Sequence, residues 1–184
     1  KEAGKVFEIN EKIVTDFVNK LPYKLTSKQI KTIKEIYLDV TSGKAMNRLV
    51  QGDVGCGKTI VAFIAMLFAK ENGGQSALMA PTEILARQHY SFLKTFYGNS
   101  GIKIELLVSS LSTKQKKEIV DKLRSGEIDV VVGTHALIQK GVEYHKLGLA
   151  IIDEQHRFGV NQRRTLKEKG DHAETLMMTA TPIP

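Results

Sequence analysis

Residues 47–59 read NRLVQGDVGCGKT, and the interpretation of this stretch decides the fold. Gly52, Gly57, Lys58 and Thr59 stand at the G-x-x-x-x-G-K-T spacing of a phosphate-binding loop. Arg48-Leu49-Val50 before the loop reads as a strand, and the apolar run Ile60 to Ala69 after it reads as a helix. A strand that turns sharply into a helix leaves backbone N–H groups pointing into a concavity, and glycines let the loop curl round an anion with no Cβ in the way. The helix N-terminus adds about half a positive charge. The loop from Gly52 through Asp53, Val54, Gly55 and Cys56 to Gly57 is therefore expected to cradle the phosphates of a nucleotide. Lys58 would reach the β- and γ-phosphates and the Thr59 hydroxyl would hold Mg²⁺. The plain alternative is a glycine-rich turn with no ligand.

Outward from this loop, the chain reads as one α/β unit. Its 184 residues, 42% of them hydrophobic, suffice for a single core. Ile60 to Ala69 is flanked by Lys58 and Lys70, so no apolar run reaches the roughly 18 residues of a membrane span. The chain opens Lys-Glu-Ala-Gly without an initiator Met or a signal peptide, and a segment of a longer protein is expected. The lone cysteine, Cys56, has no partner for an internal disulfide, which fits a reducing cytoplasm. A net charge of +7, from 27 Lys+Arg against 20 Asp+Glu, favours a polyanionic partner, although a solvated lysine-rich surface gives the same count.

Upstream, Ile13, Val14, Phe17, Val18 and Leu21 form a helical stripe between Asn10 and Pro22, which predicts a lead-in helix and linker over residues 1–24. Thr26-x-x-Gln29 is a capping box for a second helix, with Ile30, Ile33, Tyr37 and Val40 inward. Downstream, Ser76 to Ala80, Ile102 to Val108, Asp129 to Gly133, Leu149 to Asp153 and Leu176 to Thr179 read as strands. Helices are predicted from Thr82 to Tyr97, burying Leu85, His89, Phe92, Leu93 and Phe96, and after the capping box Ser112-x-x-Gln115. The run His156 to Arg164 reads as a polar loop. Apolar strands alternating with helices predict a mostly parallel sheet covered by helices on both faces.

The strand LAIID ends in Asp153-Glu154, and apolar residues running into paired acids describe a Walker B element. Asp153 would reach the carboxyl edge of the sheet and share Mg²⁺ with Thr59, while Glu154 would orient or deprotonate the attacking water. A solvated acidic turn is the plain alternative. No Cys or His spacing suits zinc, so His89, His135, His145 and His172 are expected in core or surface roles. Pro81-Thr82 and Thr134-His135 follow strands, where hydroxyls and backbone N–H groups can meet phosphates; for Thr82 a helix N-cap is an equal and compatible reading.

These residues carry a family resemblance. Asp153-Glu154-Gln155-His156, followed by Arg157-Phe158-Gly159-Val160-x-Gln162-Arg163, resembles motif II and its extension in the RecG family of ATP-dependent DNA helicases, superfamily two translocases that act on branched DNA and stalled replication forks. Leu25-Thr26 with Gln29 resembles the Q motif, Gly52 to Thr59 motif I, and Pro81-Thr82-Glu83-Ile84-Leu85-Ala86-x-Gln88-His89 motif Ia. Gly133-Thr134-His135-Ala136-Leu137 resembles motif Ib and Thr179-Ala180-Thr181-Pro182-Ile183-Pro184 motif III. The translocation module of the transcription-repair coupling factor shares several of these phrases, but its motif II usually has Glu where Gln155 stands here.

The resemblance implies that residues 25–184 form the N-terminal RecA-like ATP-binding domain of a DNA helicase active in repair and recombination. Gln29 is implied in adenine recognition, Lys58, Thr59, Asp153 and Glu154 in ATP hydrolysis with Mg²⁺, and Pro81, Thr82, Thr134 and His135 in DNA backbone contact. His156, Thr179, Ala180 and Thr181 are implied in coupling the γ-phosphate state to domain motion. A second RecA-like domain and a wedge domain are implied partners in the same protein. Without the arginine finger of that second domain, this piece is expected to hydrolyse ATP slowly. Two other classes fit the loop alone: a nucleotide-gated binding module that never hydrolyses, and a small-molecule kinase, for which motifs Ia, Ib and III have no use.

Overall fold

The computed structural model describes residues 6–43, 46–51, 56–153, 160–170 and 173–179. Two helices lead in, α1 (Glu11–Asn19) and α2 (Ser27–Thr41). Strands and helices then alternate through β1 (Asn47–Gln51), α3 (Cys56–Glu71), β2 (Gln75–Met79), α4 (Glu83–Tyr97), β3 (Ile104–Leu107), α5 (Thr113–Ser125) and β4 (Val130–Gly133). A 3-10 turn (His135–Ile138), β5 (Leu147–Asp153), α6 (Val160–Glu168) and β6 (Glu174–Thr179) complete the order.

Local chemistry sets most of the helix starts. The Asn10 side chain accepts from the Lys12 N–H at the head of α1. Thr26 and Gln29 form a reciprocal capping box on α2, and Ser112 with Gln115 does the same on α5. The α5 helix stops on Gly126, whose φ of 88° lies in the left-handed region that favours glycine.

The strands form one six-stranded sheet in the order β1-β6-β5-β2-β4-β3, and all five pairings are parallel. From β1 the chain steps across to β2 and β3, then turns back through β4, β5 and β6. Right-handed crossovers put the connections of the outward leg on one face and those of the return leg on the other. The strands' two-residue alternation sorts their side chains accordingly. Leu78, Val130, Val132, Leu149, Ile151, Leu176 and Met178 share a core with Phe63, Ile64 and Leu67 of α3 and with Ala86 and Leu93 of α4. Ala77, Met79, Val131, Ala150 and Ile152 face the other way, with Leu123 of α5, Leu137 of the 3-10 turn and Leu166 of α6. The expected α/β sheet covered on both faces is the one observed.

Two expectations change. The segment read as a polar loop over His156 to Arg164 contains the start of α6, which runs from Val160 to Glu168. Among the described side chains of α6 only Leu166 is buried, and a single anchor leaves no periodic stripe in the sequence. In α2 the fully buried residues are Ile36 and Val40, whereas Ile30 is 40% exposed. The helix turns that flank toward α1, so Ile30, Ile33 and Tyr37 line an apolar cleft between the two helices. No residue of α1 is fully buried; Val14, Phe17 and Val18 rest half-buried on the core. Among the described residues, no helix is long and apolar enough to cross a membrane.

The amino edge of the sheet is closed by buried polar groups. Gln75 donates through Nε2 to the carbonyls of Leu123 (3.0 Å) and Ile128 (2.8 Å) and accepts from Lys146 N–H (3.0 Å), so this buried amide joins α5, β4 and β5. Glu174 is 1% exposed; one carboxyl oxygen accepts from Met46 N–H, and Oε1 has no hydrogen-bond partner among the described residues. Burial raises the Glu174 pKa from 4.5 to about 7, against the opposing effect of that N–H. The folded chain therefore holds the Glu174 proton more tightly than the unfolded chain does. Stability from this group is full below the unfolded value and is lost as pH rises through about 7, a loss on the order of 3 kcal/mol. Glu174→Gln should remove that loss, so its urea midpoint relative to wild type is expected to climb between about pH 5 and pH 8. A constant difference across the range would rule this out.

Candidate active site at the carboxyl edge of the sheet

Because every strand runs the same way, all strand ends that lead into loops meet at one edge. Along that edge stand, in spatial order, the exit of β1 toward Lys58 and Thr59, then β6 with Thr179, β5 with Asp153, β2 before Pro81-Thr82, and β4 before Thr134-His135. β6 lies between β1 and β5. At roughly 4.8 Å per strand, the ends of β1 and β5 are separated by about 10 Å, enough for a phosphate chain and an ion between them.

Lys58 and Thr59 sit in the first turn of α3, each 6% exposed. The Lys58 ammonium has no hydrogen-bond partner among the described residues. Burial lowers its pKa, and the negative charge of Asp153 pulls the other way. A buried ammonium with no bonded partner is costly unless an anion meets it. Placed at a helix N-terminus, whose dipole also favours negative charge, it suits a phosphate. Cys56 opens α3 and Gly57 follows it.

Asp153 ends β5 and is 1% exposed. Its Oδ2 accepts from His89 Nε2 at 2.8 Å. The sequence placed His89 among the inward residues of α4, in a core or surface role; the structure pairs it with the acid that ends β5. The local pattern carries no sign of this contact, which joins residues 64 positions apart. Among the described residues no cluster of three or more His, Cys, Asp or Glu forms a metal cage. Mg²⁺ needs none, because it keeps several waters and takes one or two carboxylates plus substrate phosphates. One buried Asp and one buried Thr near an unpartnered Lys fit that pattern.

The other half of the edge is built from β2 and β4, which are neighbours. The Ala80 N–H donates to Gly133 O at 2.8 Å and joins the two strand exits. Thr82 caps α4, accepting from Leu85 N–H at 3.3 Å. Glu83 then accepts from Ser110 Oγ (2.7 Å) and Arg87 Nε (3.0 Å). Ser110 and then Arg87 hold the Glu83 carboxyl below its ordinary range, and the bond to Ser110 ties the head of α4 to the exit of β3. Thr134 is 8% exposed and its hydroxyl makes no capping bond, while His135 is exposed. Gln29 lies in the first turn of α2, where its Oε1 accepts from Thr26 N–H at 2.8 Å and closes the capping box. Gly52, Asp53, Val54, Gly55, Glu154, His156, Ala180 and Thr181 lie outside the described residues.

A buried lysine in the first turn of the helix after β1, an acid ending the strand two places away and an all-parallel sheet together define a RecA-like α/β domain. The chain belongs to the DEAD/DEAH box helicase family, whose profile matches residues 26–184. It is 53% identical over 182 residues to the ATP-dependent DNA helicase RecG of Streptococcus pneumoniae, covering 99% of this chain and 27% of the relative. It is 50% identical over 184 residues to that of Thermotoga maritima, covering 100% of this chain and 24% of the relative. A solved structure of RecG bound to a three-way DNA junction superposes with a TM-score of 0.88 at 47% identity, over 99% of this chain and 24% of that one. The resemblance read from the motifs is borne out. The chain spans about a quarter of the length of the curated relatives it matches.

Gly133 shows how little room this edge leaves. A Cβ there would stand 2.1 Å from the Leu107 carbonyl oxygen and 2.9 Å from Leu137 Cδ2. Gly133→Ala is therefore expected to lower unfolding free energy by about 3 kcal/mol in urea titration. A loss under about half a kcal/mol would show that β3 and the 3-10 turn yield easily.

Proposed function

We propose that the chain is the N-terminal motor domain of an ATP-dependent DNA translocase or helicase that acts on branched DNA, such as stalled replication forks, in repair and recombination. The observation that carries the reading is the buried Lys58, without a hydrogen-bond partner among the described residues, on the same sheet edge as Asp153 and the exits of β2 and β4. Relatives named ATP-dependent DNA helicase RecG, about half identical over the whole chain, support it, as does the RecG structure solved on a three-way junction.

In this reading Gly52 to Gly57 cradle the ATP phosphates with backbone N–H groups, and Lys58 neutralises charge on the β- and γ-phosphates. Thr59 and Asp153 hold Mg²⁺, which when bound supplies charge neutralisation on the phosphate oxygens. Glu154 orients the attacking water and takes its proton. Gln29 recognises adenine; its carboxamide has one acceptor and two donors, so the capping bond and a base contact are compatible. Pro81, Thr82, Thr134 and His135 meet the DNA backbone, which carries no sequence information, and His156 with Thr179 to Thr181 relays the γ-phosphate state. A second RecA-like domain and a wedge domain of the same cytoplasmic protein complete the motor.

The test is ATP turnover by the full-length protein with single-stranded, duplex and forked DNA side by side. Forked DNA is expected to stimulate most, and Glu154→Gln to cut turnover by about 10² or more while nucleotide binding persists. Equal turnover in the Glu154→Gln protein would remove hydrolysis from the reading and leave a nucleotide-gated binder. Stimulation only by a stalled RNA polymerase would point to a coupling-factor module.

A further inference from the structure

We propose that His89 is a positioning residue for the ATP site: it fixes the Asp153 carboxylate relative to Lys58 and Thr59 and ties that carboxylate to helix α4. The proposal rests on the nucleotide-site reading above and adds a residue that reading does not use. Asp153 is 1% exposed, His89 is largely buried, and their 2.8 Å contact comes from two different crossover units. An aspartate at a strand end has several side-chain rotamers to choose from, and a hydrogen bond from a held imidazole selects one. A carboxylate has about four lone-pair sites, so Oδ2 can accept from His89 and the group can still face a cation.

The helix that carries the imidazole is itself held. Ala86 and Leu93 of α4 are 0% exposed, and the Tyr97 hydroxyl at the end of the helix donates to the carbonyl of Phe63 in α3. The Phe63 ring also meets Phe92 and Phe96 of α4, with centroids 5.3 Å and 5.4 Å apart. α3 is the helix whose first turn carries Lys58 and Thr59. The aromatic contacts therefore fix the register of α4 against α3, and His89 carries that register to Asp153. The same helix begins at Thr82, about 10 Å away along the axis at 1.5 Å per residue, so the DNA-facing end of α4 and the Asp153 carboxylate belong to one rigid piece.

The test uses the full-length protein loaded with ADP, with Mn²⁺ as the metal probe read from the loss of the free-ion paramagnetic resonance signal. His89→Ala is expected to weaken Mn²⁺ binding about 10-fold or more, the usual loss when a partner behind a ligating group is removed. His89→Gln, whose amide N–H₂ falls near the position of Nε2, should stay within about threefold of wild type. Affinity for forked DNA should stay within about twofold in both variants, since no contact to DNA is removed. Wild-type Mn²⁺ affinity in the alanine variant, a glutamine variant as weak as alanine, or an equal loss of DNA affinity would each overturn the proposal. Should alanine unfold the protein, His89→Leu keeps the volume without the donor and takes its place. If wild type itself takes up no Mn²⁺ with ADP, the nucleotide-site reading fails and the His89 role with it. If wild type does and the alanine variant matches it, only the His89 role fails.

Discussion

A strand that must pair in parallel with a later strand forces the chain to return to the amino edge before it starts again. Every strand in this sheet obeys that constraint, so each one delivers the residue that follows it to the same carboxyl edge. Lys58, Asp153, Thr82 and Thr134 are far apart in sequence and share that edge for this reason alone. The opposite edge holds no such set. There Gln75 spends its amide on three backbone groups, and Glu174 sits buried on the Met46 N–H.

Within the carboxyl edge, strand order divides the labour. The insertion of β6 between β1 and β5 sets the spacing across which the charge of Asp153 acts on Lys58, whose ammonium has no hydrogen-bond partner among the described residues. The direct pairing of β2 with β5 and with β4 puts Thr82 and Thr134 on the far side of Asp153 from the exit of β1. Asp153 stands between the two halves, and α4 reaches it from the second half through His89. The helices that carry the two halves, α3 and α4, are joined by Phe63, Phe92, Phe96 and Tyr97, so the halves keep one relative position.

Much of this was legible in the residues. The phosphate loop is a contiguous pattern, and the capping boxes Thr26/Gln29 and Ser112/Gln115 span four residues each, so short-range geometry suffices to read them. Val130 to Val132 and Leu149 to Ile152 are unbroken apolar runs because both faces of their strands are covered, which marks them as interior parallel strands. The α6 helix was not legible, since one buried leucine gives no period, and α2 was read with its stripe slightly rotated because α1 covers one flank of it.

Local periodicity and motif spacing were therefore enough to locate the strands, the helices α1 to α5 and the acid that ends the fifth strand. The strand order, and with it the partner of Asp153, came from long-range packing. His89 looks like any other inward residue of a helix until β2 is placed beside β5. The reason is physical: capping and turn chemistry act over three or four residues, whereas the contact between His89 and Asp153 exists only once two crossover units have packed against each other.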